Sequence, residues 1–140
     1  MTEVRLYIQT DSKSPRRMQR RFGHVLACTI DGKEITREGF GEAEATYHGA
    51  GLMALEKGMA RLTGKNDLVI FSEDEWILTN LQHQLGTWAK QDFLNAKGNP
   101  IADQAAWLHI WIMSQERRIE VRAGRHEYTE WMLTQMKEKT

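Results

Sequence analysis

Apolar residues along this chain fall into runs with two different periods. Val4-Arg5-Leu6-Tyr7-Ile8-Gln9-Thr10 is rich in β-branched and aromatic residues and predicts a strand over 4–10. Residues 12–21 (Ser-Lys-Ser-Pro-Arg-Arg-Met-Gln-Arg-Arg) are polar and basic and predict a connection. Phe22 to Ile30 predicts a second strand, Asp31-Gly32 a hairpin turn, and Lys33 to Phe40 the returning strand. Residues 41–44 read as a short acidic link. Over 45–62 the period changes, with Leu52, Leu55, Met59 and Leu62 recurring at helical spacing. Gly64 marks the end of that helix. Asp67 to Ser72 is almost continuously apolar, as in a strand buried on both faces. Helical character resumes from Asp74 to about Trp88, breaks at the loop 95–100, and returns over 102–115. Arg118 to Arg122 alternates as a fifth strand, and 127–138 predicts a closing helix. The order is βββαβααβα, an α/β arrangement.

Composition narrows the picture only a little. A chain of 140 residues has room for one domain with a real core, and residues 1–140 are expected to form one. Nineteen basic and nineteen acidic residues give a formal net charge of zero, so any argument for an anionic partner must be local. The single cysteine, Cys28, excludes an intramolecular disulfide and reads as buried filler in Val25-Leu26-Ala27-Cys28. No apolar stretch approaches a membrane span, and no apolar signal core opens the sequence. A soluble, cytoplasmic protein without a membrane partner is the expectation. Oligomeric state has no signal in the sequence.

The candidate chemistry lies at strand ends. The first strand ends in Asp11, and the fourth is followed by Glu73-Asp74. Open α/β sheets place their sites at the C-terminal ends of parallel strands. Two carboxylates there would begin a divalent-metal site of the kind that acts on phosphates. Lys13, Arg16, Arg17, Arg20 and Arg21 lie within nine residues after Asp11. Beside a crevice they would attract a phosphate backbone; away from one they would form a solvated loop. Five tryptophans (76, 88, 107, 111 and 131) occupy the second half. Trp76, Trp88 and Phe93 are candidates for stacking on bases, with core packing the alternative. Trp88 is the one expected to be exposed, and Trp107 and Trp111 are expected in the core.

With these residues in place, the chain resembles the type 1 ribonuclease H family over nearly its whole length. Thr10-Asp11 stands where the family carries its strand-end Thr-Asp. Phe22-Gly23, Gly39-Phe40, Leu52-Met53-Ala54 and Asp74 follow in the family's order, as do Trp88, Phe93, Pro100-Ile101 and Trp107. Gly124 and His126 fall in the loop before the last helix, where the family carries a histidine. The resemblance implies a five-stranded mixed sheet, strands 1–3 antiparallel and 4 and 5 parallel to 1, with helices on both faces. It also implies four carboxylates binding two Mg²⁺ ions, and hydrolysis of the RNA strand of RNA/DNA hybrids.

Two of the four carboxylate positions depart from the pattern. Gly51 stands where the family carries its helical glutamate, and Leu133 where it carries its last aspartate. Neither side chain binds metal, and two ions held close together need several negative ligands. Asp11 and Asp74 could hold one Mg²⁺ or Mn²⁺ weakly. Glu130, His48, Glu44 and Glu73 are candidate replacements or ordinary solvated side chains, and His126 a candidate for proton transfer. Three functions stay open. One is a nucleic-acid-binding module for RNA/DNA hybrid or double-stranded RNA with lost or weakened cleavage. The second is an active Mg²⁺- or Mn²⁺-dependent endonuclease using Asp11, Asp74, His126 and Glu130. The third is a protein-interaction scaffold.

Overall fold

The computed structural model of the chain describes residues 3–115 and 117–138. Five strands, β1 (Glu3–Thr10), β2 (Met18–Ile30), β3 (Lys33–Ala45), β4 (Asp67–Ser72) and β5 (Ile119–Ala123), form one sheet in the order β3-β2-β1-β4-β5. β1, β2 and β3 are antiparallel neighbours; β4 lies parallel to β1, and β5 parallel to β4. The helices are α1 (Tyr47–Met59), α2 (Glu75–His83), α3 (Leu85–Lys90), α4 (Gln104–Ser114) and α5 (Thr129–Glu138). This is the mixed sheet expected from the sequence. None of the described helices is long and apolar enough to cross a membrane.

Strand alternation assigns the two faces. Leu6 and Ile8 of β1 face α1 and join Leu52, Leu55 and Met59 in the larger core, which also takes in Ile77, Leu78, Leu85, Trp107 and Ile110. Tyr7, pointing the other way, joins Val25, Ala27, Met132 and Met136 beneath α5. Helices therefore cover both faces, with α5 alone on the second.

The larger departures from the expected boundaries lie in the β2–β3 ribbon and after β4. β2 begins at Met18 rather than Phe22, and β3 runs to Ala45 rather than Phe40, because pairing continues without interruption from Ile30↔Lys33 to Met18↔Ala45. The charges there suggested loop, but outward side chains pair across the ladder, as Arg21 Nε does with Glu42 at 3.8 Å. Aromatic rings also lie over facing glycines along this ribbon. A Cβ on Gly23 would sit 2.5 Å from the Phe40 ring, and one on Gly41 2.8 Å from Phe22. Those contacts bury each ring against backbone and fix the register. The expected helix over 74–88 is broken at Gln84, the boundary between α2 and α3.

Candidate functional site

Asp74 ends the β4 segment and opens α2. Its side chain is buried. Oδ1 accepts from the Ile77 amide at 3.3 Å as the helix N-cap, and Oδ2 lies 2.7 Å from His48 Nδ1. A carboxylate is favoured at a helix N-terminus, where unpaired N–H groups converge. His48 sits in the first turn of α1, whose own cap is Thr46. Its ring stacks on Trp76 with centroids 4.3 Å apart. Asp74 and Trp76 thus grip one imidazole from two sides. Trp76, 40% exposed, keeps much of its surface in solvent.

Beside this pair, Glu73 accepts from Gln9 Nε2 at 2.7 Å and from Lys13 Nζ at 2.8 Å. Burial works against ionisation of Glu73, but the hydrogen bonds from Lys13 and Gln9 prevail and hold its pKa below the usual glutamate value. Gln9, Thr10, Tyr47, Gly51, Ser72, Glu73 and Asp74 line a cavity of about 10 Å³, room for one water molecule. Gln9 is buried, and its Oε1 has no hydrogen-bond partner among the described residues. Burial, with the charges of Asp74 and Glu73 nearby, pushes the Tyr47 phenol up to about 12.

Asp11 is not part of this crevice. It is exposed just beyond β1, where Oδ2 accepts from the Arg21 amide at 3.0 Å. It lines a separate cavity of about 610 Å³ with Arg21, Glu42, Leu133 and Met136. Alternation separates it from Asp74: Asp11 has the parity of Tyr7, on the α5 side, whereas Asp74 has that of Ile70, on the α1 side. Gln9 shares the parity of Asp11 and meets Glu73 rather than Asp74. The parallel register Tyr7↔Phe71, continued by two residues, sets it level with Glu73. Sequence reasoning missed it, since nothing but the register distinguishes Gln9 from its neighbours.

The other candidates are dispersed. Glu130 projects from α5 and pairs with Arg125, and Glu44 lies 3.6 Å from Arg17. His126 uses both ring nitrogens on main chain, Nε2 donating to Ile8 O at 3.3 Å and Nδ1 accepting from the Tyr128 amide at 3.2 Å. Burial foremost lowers its pKa. It is braced under the sheet rather than free for proton transfer.

The sequence predicts five cations on the β1–β2 connection, and the structure leaves three there. Lys13, Arg16 and Arg17 are exposed. Arg20 belongs to β2 and is fully buried. Its guanidinium donates to the carbonyls of Ala45 at 2.8 Å, Ser12 at 2.8 Å and Arg16 at 2.6 Å, and to that of Ser14. Four carbonyl dipoles satisfy the buried charge, and the guanidinium fastens the loop in return. Arg21, also in β2, is half-buried and donates to Met136 O at the end of α5. Trp88 is likewise corrected: it packs against buried Trp107 at 5.2 Å between centroids, and Trp76 and Trp131 are the exposed tryptophans. Phe93 is in the core, Trp111 is packed against it, and Cys28 is half-buried.

No protein-family model matches the chain. A ribonuclease H of Xanthomonas oryzae pv. oryzae is 24% identical over 100 residues, covering 71% of this chain and 66% of that protein. The matched stretch thus spans just under two thirds of the curated relative. A crystal structure of a type 1 RNase H with the type 2 active-site motif superposes with a TM-score of 0.72 over 99% of this chain and 74% of that one, at 14% identity. This chain has the ribonuclease H fold. The foamy viral RNase H domain in solution shares it, with a TM-score of 0.63 over 96% of this chain and 89% of that one at 16% identity. So does the foamy viral protease-reverse transcriptase in complex with RNA/DNA hybrid, at 0.61 over 96% of this chain and 19% of that one, 15% identical.

The residues present in this ribonuclease H fold do not fit a pair of divalent ions. Among the described residues, no three of His, Cys, Asp and Glu are grouped to hold a metal. A Cβ on Gly51 would meet Ile77 Cδ1 at 2.6 Å, so an apolar side chain fills the space a helical glutamate would need. Leu133 faces the other cavity with Asp11.

Proposed function

We propose that this chain is a nucleic-acid-binding domain in which the two-metal hydrolysis associated with its fold is lost or weakened. The observation that carries the reading is the state of Asp74. Its carboxylate is occupied by the Ile77 amide and His48, and the neighbouring helical position is Gly51 packed against Ile77. A divalent pair needs several converging carboxylates; here both Asp74 oxygens are already engaged, and Glu73 is tied to Gln9 and Lys13. Nucleic acid as the partner is supported by the fold, by the exposed Lys13 that reaches Glu73 in the crevice, and by exposed Arg16 and Arg17 on the same loop. RNA/DNA hybrid and double-stranded RNA are the ligands proposed, because both present an A-like backbone to a basic edge.

The test is incubation of an end-labelled RNA/DNA hybrid with the chain in Mg²⁺ or Mn²⁺, alongside Asp11→Asn and Asp74→Asn, with binding followed by fluorescence anisotropy. Binding of hybrid left intact is the expected result. Cleavage by the wild type that disappears in Asp74→Asn would restore the endonuclease, and no binding of any nucleic acid would remove the reading altogether.

A further inference from the structure

The sheet is open at β5, its outer strand beyond β4. The Leu68 amide donates to Arg118 O and the Gly124 amide to Ser72 O, so the main-chain groups of Arg118, Glu120 and Arg122 point at β4. Those of Ile119, Val121 and Ala123 point outward, and among the described residues no other main chain bonds to them. Val121 O accepts from the exposed Arg122 guanidinium at 3.0 Å, a surface bond that a competing donor can displace. Such a row of main-chain groups is a template for one more strand.

Beside this edge lies a groove of about 450 Å³, walled by Leu81 of α2, Leu85 of α3, Trp111 of α4, and Ile119 and Val121 of β5. None of the residues that line it lines the crevice at Asp74. Leu81 and Leu85 are buried, while Trp111, Ile119 and Val121 are half-buried under the open groove. Strand alternation puts Arg118, Glu120 and Arg122 on the other face of β5, where all three are exposed. A strand added here would drop every second side chain into the apolar groove and carry the alternate ones over that charged face. From Arg117 to Arg125 the cations are Arg117, Arg118, Arg122 and Arg125, against Glu120 alone. Arg122 pairs with Glu120 at 2.7 Å, and Arg125 with Glu130. Arg117, at the groove, uses the neutral oxygens of Met113 at 2.9 Å and Asn66 at 3.0 Å. The edge is therefore cationic as well as open. We propose that β5 and its groove dock an extended acidic segment of a partner protein, added as an outer strand with apolar residues at alternate positions. An amide backbone and an apolar stripe match this edge, which offers a polyanion without such groups only its arginines.

The experiment follows a labelled synthetic peptide that alternates Glu with Val by fluorescence anisotropy, with circular dichroism as the check on each variant's fold. A Cβ at Gly86, which lines the groove, would meet nothing within 4 Å. Gly86→Trp therefore fills the groove without displacing the core, and Gly86→Ala is its control. The wild type and Gly86→Ala should bind the peptide alike, and Gly86→Trp should bind roughly tenfold more weakly. Arg118→Glu should weaken binding by roughly threefold. A peptide alternating Lys with Val should bind far less well than the acidic one. Methylating the amide nitrogens of one alternating set, Glu or Val, should weaken binding by roughly fivefold or more, and methylating the other set should not. Failure of the acidic peptide to bind overturns the proposal, as do equal binding of the Lys peptide, indifference to Gly86→Trp, and equal effects of the two methylations. Displacement of the peptide by an RNA/DNA hybrid would give this edge to nucleic acid instead. Self-association of the wild type that Gly86→Trp abolishes would give it to a second copy, and either result contradicts the proposal.

Discussion

Asp11 and Asp74 look alike in the sequence and are different kinds of residue in the fold. Each follows an apolar strand of the same sheet. Asp74 is buried, caps α2 and grips His48; Asp11 is exposed, holds one backbone amide and shares its cavity with Leu133. A carboxylate at a strand end is therefore not by itself a site. Its parity on the strand, and whether a helix starts at it, decide what it does.

The contrast can be broken most forcefully at Gly51. Restoring an acid there with Gly51→Glu should cost about 3 kcal/mol, chiefly because it sets a second carboxylate beside buried Asp74, whose Oδ2 lies 3.6 Å from the new Cβ, and also displaces Ile77 Cδ1. Chemical denaturation reads this, and a neutral effect would mean that the carboxylate position had never closed. The two aspartates come next. Asp74→Ala removes a helix cap and the carboxylate partner of His48, an expected loss of about 2 kcal/mol. Asp11→Ala removes one exposed hydrogen bond and should cost about 0.5 kcal/mol. Equal losses would erase the distinction between them.

Acid sharpens the comparison through a third group, the buried His24. His24 faces Arg61 and Lys57 rather than a carboxylate, and burial together with those cations pushes its pKa down to about 4. Between the unfolded value, about 6.5, and this folded one, the unfolded chain takes a proton that the folded chain refuses. The stability is thus present at neutral pH and lost as pH falls through that window, by about 2 kcal/mol after solvent screening. His24→Gln should flatten the curve of stability between pH 6.5 and 4, read by chemical denaturation across that range.

Much of the fold was legible because it depends on period. The apolar runs at 4–10 and 67–72 and the helical stripe from Leu52 to Met59 lie where the pattern puts them. The extension of β2 through Arg20 was not legible, because a buried arginine satisfied by four carbonyls has the same sequence signature as a solvated one. Within the site, Asp74 was visible as a residue and invisible as a cap occupied by His48. Gln9 could not be found at all, since choosing it over Asp11 needs the β1–β4 register. The separation of Asp11 from the crevice followed from the same missing fact.

The central claim is that this crevice, with Gly51 against Ile77 and Asp74 committed to the Ile77 amide and His48, holds no pair of divalent ions. Titration of the chain with Mn²⁺, followed by electron paramagnetic resonance of the free ion, tests it most directly. The account predicts no saturable Mn²⁺ binding that depends on Asp74. Two ions bound per chain, and released by Asp74→Asn, would contradict it.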